Sequence, residues 1–128
     1  VISYSPLGGG LLTGKYSTTQ KPPEGRLVTN KMYAARYGEE IQYSIAESFT
    51  AYARKIGVHP ATLAVAWVKK HPCITAPIIG ARNLEQLKPS LAAADYEMTD
   101  EQWTEISSLT PPVPVATDRS EERKSPLA

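Results

Sequence analysis

The chain has 128 residues, 41% of them hydrophobic, which is enough for one domain with a real core. A formal net charge of +1, with Lys and Arg scattered among Asp and Glu, leaves no basic field of the kind that nucleic acid needs. One cysteine, Cys73, excludes an internal disulfide, no apolar run approaches the ~18 residues of a membrane span, and the cytoplasm is the expected compartment.

Residues 1–4, Val-Ile-Ser-Tyr, read as a short buried strand that Ser5-Pro6 ends, because proline has no N–H to give to a ladder. The chain opens on a valine inside that run, with no methionine or leader ahead of it, and is expected to be cut from a longer one. Gly, Pro, Thr and Lys then dominate from Leu7 to about Gly38, and this stretch is expected to be one long loop, functional or disordered. Ile41, Ile45, Phe49, Tyr52, Ala53 and Ile56 recur at helical spacing, which predicts a helix over 39–56 with that face inward, stopped by Gly57. A second helix starts at Pro60, a residue suited to a first turn, carries Leu63, Ala64, Trp67 and Val68 on its apolar side, and ends before Pro72. Lys69, Lys70 and His71 favour its negative end.

Residues 74–79, Ile-Thr-Ala-Pro-Ile-Ile, form the second strand candidate, ended by Gly80-Ala81-Arg82. Asn83 with Gln86 three residues on has the pattern of a capping box for a helix over 84–93, shortened or distorted by Pro89. Thr99 with Gln102 repeats the pattern for a helix to about 109, with Trp103 and Ile106 inward. Residues 1–110 are therefore expected to be the folded part and 111–128, proline-rich and then densely charged, a mobile polar tail. Two strands separated by helices imply parallel pairing, and two parallel strands alone make a poor sheet with exposed edges at Val1 and Ile78.

Two stretches carry signals for phosphate. Gly9-Gly10-Leu11-Leu12-Thr13-Gly14-Lys15-Tyr16 nearly matches the P-loop, but a tyrosine stands where that motif needs a magnesium-binding hydroxyl, and Ser17 to Pro23 cannot start a helix. A P-loop nucleotide binder is thus the remote alternative. Ile78-Ile79-Gly80-Ala81-Arg82-Asn83 feeds a strand into a helix N-terminus, where free N–H groups and a guanidinium attract an anion; alone, it reads more readily as a plain Asn cap beside a solvated arginine, because many helices start this way. In an α/β barrel, however, phosphate sites are frequently built from the loops after the last two strands, and the two stretches would then meet at one rim.

The stretches "YSPLGGGLLTGKY", "GRL", "IGVHPATLAVAWV", "PIIGARNLEQL" and "MTDEQWTEI", in this order, resemble the C-terminal half of the aldo-keto reductase family. The resemblance covers residues 1 to about 109 and implies an α/β fold: the last two strands of a (β/α)8 TIM barrel with their helices, incomplete as given. It implies NADPH as cofactor, bound in extended form at the C-terminal rim, and a small aldehyde or ketone as substrate, reduced to the alcohol. Carried over, Tyr4 would stack on the nicotinamide, and Ser5, Leu7, Gly9, Leu12 and Lys15 would border the pyrophosphate. Gly80, Ala81 and Arg82 would hold the adenosine end, with Arg82 on the 2′-phosphate and Gln86 near the adenine; Ser90 stands where the family often has Asn.

No stretch matches the family's catalytic Asp, Tyr, Lys and His, so the chain alone is expected to be inactive. A non-enzymatic NADP-binding module, like the channel accessory subunits in this family, is the alternative. His59 and His71 read as structural or solvated, Cys73 as core filler, and no tyrosine among 33, 37, 43, 52 and 96 as a proton donor.

Overall fold

A computed structural model describes residues 1–112; the tail expected beyond them lies outside the described residues. β1 (Ile2–Ser3) pairs in parallel with β2 (Ala76–Pro77), Ile2 opposite Ala76 and Ser3 opposite Pro77. Pro77 has no N–H, and the bonds between the strands run from Thr75 N–H to Val1 O and from Ile78 N–H to Ser3 O, each 2.7 Å. Both strands are shorter than the apolar runs that announced them, and the parallel pairing is as expected, but β1 is not buried: Val1, Ile2 and Tyr4 are exposed on a face that no described element covers, and Cys73, just before β2, is exposed rather than core filler.

The expected long loop is corrected. A run of 3₁₀ turns spans Gly8–Thr13, and two short helices follow, α1 (Arg26–Thr29) and α2 (Lys31–Tyr37). Asn30 starts α2 by accepting the N–H groups of Met32 and Tyr33 on its side chain. Four- and seven-residue helices are too short to register as periodicity, so composition alone reads as loop.

α3 (Glu40–Lys55) and α4 (Pro60–Lys70) form where the sequence places them. The inward face of α3 differs from expectation. Tyr43, Ala46, Phe49, Thr50 and Ala53 are buried, while Ile41 is 54% exposed. The reason is that α3 packs on two things at once, the glycine turns through Tyr43 and Ala46, and α4 through Phe49 and Ala53. α4 is capped by His59, whose Nδ1 accepts from Ala61 N–H, and every residue from Ala61 to Ala66 is buried. It is the hub of the larger core, contacted by α3, by α5 (Leu84–Leu91) and by α6 (Asp100–Ser107).

α5 runs into a 3₁₀ turn, Ala92–Ala94. Lys69, at the end of α4, donates from Nζ to the carbonyls of Ala93, Ala94 and Tyr96 at 2.8 to 3.2 Å and so closes that end. The capping box of Thr99 and Gln102 starts α6, and Trp103 stacks on Trp67 of α4 at 6.1 Å between ring centroids.

Candidate functional site

Where β1 ends, the backbone turns left-handed. Ser5 has φ +55, an uncommon conformation for a residue with a side chain, and Gly8, Gly9 and Gly10 follow at +56, +68 and +102. The turn is held by Gly8 N–H to Ser5 O, Gly10 N–H to Leu7 O and the Thr13 hydroxyl to Gly10 O. This segment makes one wall of a cleft of about 510 Å³, within the size range of small-molecule sites. Residues 78–82 and the first two turns of α5 make the opposite wall. The parallel register brings the walls together, because both are loops leaving the same ends of adjacent strands.

Tyr4, Ser5, Leu7, Gly9, Lys15, Gly80, Ala81, Arg82 and Gln86 all line this cleft. Two residues of the expected set do not. Leu12 faces a second, apolar cavity of about 440 Å³ on the other side of the turn, with Phe49 and Trp67. Ser90 is 3% exposed, with its hydroxyl unpartnered, and Pro89 takes the cleft wall one turn below Gln86.

The cleft also contains Thr13, Arg26 and His59, which sequence reasoning did not assign to it. Arg26 lies in "GRL", quoted only as part of the resemblance. Its place is set by Tyr16 and Gly25: Tyr16 is 2% exposed, and a Cβ on Gly25 would overlap its hydroxyl, so only glycine lets the chain pass there before Arg26. Among the described residues the hydroxyl has no hydrogen-bond partner, and burial pushes its pKa up, with the nearby Leu27 main chain and Arg82 pulling the other way. Tyr16 is therefore a wedge in the core, which is why the P-loop position holds an aromatic residue.

Among the described residues, Lys15, Arg26 and Arg82 bring three cations to the cleft against one carboxylate, Glu85. At the N-terminus of α5 the Asn83 side chain takes the Gln86 N–H at 3.0 Å, and Gln86 Oε1 takes the Arg82 N–H at 3.2 Å. Only half of the expected capping box forms, and Gln86 instead braces the bend that carries Arg82. Such a site, with positive side chains, a helix N-terminus and close backbone, suits an extended polyanion beside the exposed ring of Tyr4. Among the described residues no group of three His, Cys, Asp or Glu could hold a metal, and no helix is long and apolar enough to cross a membrane.

The model of the Aldo/keto reductase family matches residues 1–111. The chain belongs to that family. It is 31% identical over 109 residues to Protein tas of Escherichia coli strain K12, covering 85% of this chain and 31% of that protein. Similar relatives include the Uncharacterized oxidoreductase YrpG of Bacillus subtilis, 33% identical over 111 residues (87% of this chain, 32% of that protein). Another is the Putative voltage-gated potassium channel subunit beta of Schizosaccharomyces pombe, 32% identical over 117 residues (86% and 30%). The chain spans about a third of the length of these curated relatives. The aldo/keto reductase fold is a (β/α)8 barrel, and two parallel strands with helices on one side are consistent with part of it.

Proposed function

We propose that this chain is the C-terminal part of an NADP-dependent aldo-keto reductase, carrying the cofactor platform of a barrel that reduces aldehydes or ketones to alcohols. What carries the reading is one cleft in which Tyr4, the glycine turns, Lys15 and Arg82 converge from sequence positions far apart. The fit to a dinucleotide is physical. The open ring of Tyr4 offers a flat apolar face for the nicotinamide, and the left-handed turns at Gly9 and Gly10 bring main chain to the cleft wall where phosphate oxygens would lie. Lys15 and Arg26 offset the pyrophosphate charge, while Arg82, braced by Gln86, presents a planar fork to the 2′-phosphate. NADPH, when bound, supplies the hydride. The residues of this chain orient it and set its specificity; the proton donor belongs to the rest of the barrel.

The test is titration of the full-length protein with NADPH, followed by dihydronicotinamide fluorescence, and then turnover of a generic aldehyde. Saturable binding with turnover is expected. Binding without turnover would favour the second reading, a non-catalytic NADP-binding module, for which the likeness to a protein named as a channel beta subunit speaks. No binding would remove both.

A further inference from the structure

The excursion between Lys15 and Gly38 places one aromatic ring against the turn and two guanidinium groups. A Cβ on Gly9 would lie 2.6 Å from the Tyr33 ring, so the ring sits directly on the Gly9 backbone. Arg26 and Arg36 have their guanidinium carbons 5.5 and 5.9 Å from the centroid of the same ring, within cation–π range. Tyr37 packs on Tyr33 at 6.2 Å, and the Asn30 cap fixes the first turn of α2, to which Tyr33 belongs. Of the two arginines, Arg26 lines the cleft. One ring therefore touches both the left-handed backbone that faces the ligand and the side chain that would meet its charge.

We propose that Tyr33 is a positioning residue for the cleft, joining the Gly9 turn and Arg26 into one unit that meets an anionic dinucleotide at fixed spacing. The proposal rests on the cofactor reading above. It requires the face of the ring and not its hydroxyl, and Tyr33 moves no proton. Without the ring, Arg26 is free to swing into solvent and α2 loses its seat on the turn.

The experiment uses the full-length enzyme with Tyr33→Ala, Tyr33→Phe, Arg26→Ala and the Tyr33→Ala/Arg26→Ala double variant, each titrated with NADPH. Tyr33→Ala should weaken binding roughly three- to tenfold, and Tyr33→Phe, which keeps the ring, by less than about twofold. In the Arg26→Ala background Tyr33→Ala should cost much less than it does alone, because the two changes remove the same contact. The KM for NADPH should rise in Tyr33→Ala while kcat at saturating cofactor is unchanged. Equal losses for Phe and Ala, or fully additive losses, would overturn the proposal. A ligand-free measurement separates its failure from that of the cofactor reading: trypsin should cut after Arg26 and Arg36 faster in Tyr33→Ala than in wild type or Tyr33→Phe. Unchanged cleavage overturns the clamp whatever NADPH does. If cleavage behaves as expected but wild type binds no NADPH, the cofactor reading has failed and Tyr33 loses its role toward that ligand.

Discussion

Arg82 shows what a single side chain contributes and how it can be isolated. It leaves the bend after β2 with its own N–H held by Gln86 Oε1, so the guanidinium starts from a fixed point at the rim of the cleft. A hydrogen bond to a charged group is worth about 1.5–3 kcal/mol, and if the cleft takes NADPH as proposed, Arg82→Ala in the full-length protein should lose that much affinity for it. NADH has no 2′-phosphate and should lose far less. Titration calorimetry with both cofactors decides it, and equal losses would remove the 2′-phosphate role. The two phosphate signals in the sequence alone left plain readings open; it was the family resemblance that grouped Tyr4, Ser5, Leu7, Gly9, Lys15, Gly80, Ala81, Arg82 and Gln86, and these line one cleft. Leu12 and Ser90 were not legible. Which side of a turn or helix a residue faces depends on rotation, and Leu12 and Ser90 are each turned into the packing by neighbours that no local pattern reveals.

At the scale of elements, the helices with caps and length were legible and the short ones were not. α4 and α6 appear with their caps in place, since His59-Pro60 and Thr99 with Gln102 act through neighbouring backbone. α1 and α2 are short, and although Asn30 caps α2, their apolar residues are seated by Tyr16, Gly9 and Tyr43, which lie outside them in sequence and come near only on folding. The contacts of Lys69 and Lys70 make a related point. Lys69→Met removes three hydrogen bonds to the carbonyls that end the α5 segment and should cost about 1.5–3 kcal/mol in urea unfolding of the full-length protein. Lys70 pairs with Asp100 at 2.7 Å, but that carboxylate is 92% exposed, and the pair should matter much less. Lys70 holds the Asp100 carboxyl below its ordinary value of 3.8, so its small stabilisation is present above that value and disappears as pH falls through the lower folded one. Asp100→Asn should thus lower the unfolding midpoint slightly near neutral pH and not at all in strong acid.

At the scale of the whole molecule, the described residues cover the sheet on one face only. α4 packs behind β2, and Ser3 and Pro77 face that side, while Ile2, Tyr4 and Ile78 on the alternating positions are 63%, 71% and 55% exposed. Parallel strands normally have both faces and both edges covered, which two strands cannot provide for themselves. The open apolar cavity beside β1, lined by Phe49, Trp67 and Ile106, points the same way: it has the character of a gap between a sheet and its helices where further layers would fit. If the chain is one part of a barrel, its exposed strands are the cut edges of that barrel, and the cofactor cleft lies at the rim the cut leaves intact. The 128-residue chain expressed alone should then self-associate and bind a hydrophobic dye such as ANS, and a full-length protein should do neither. Size-exclusion chromatography with light scattering, together with dye fluorescence, makes the comparison. A chain that stays monomeric, binds no dye and melts cooperatively would mean that these strands need no further barrel, and the partial-barrel reading would give way to that of a free-standing NADP-binding module.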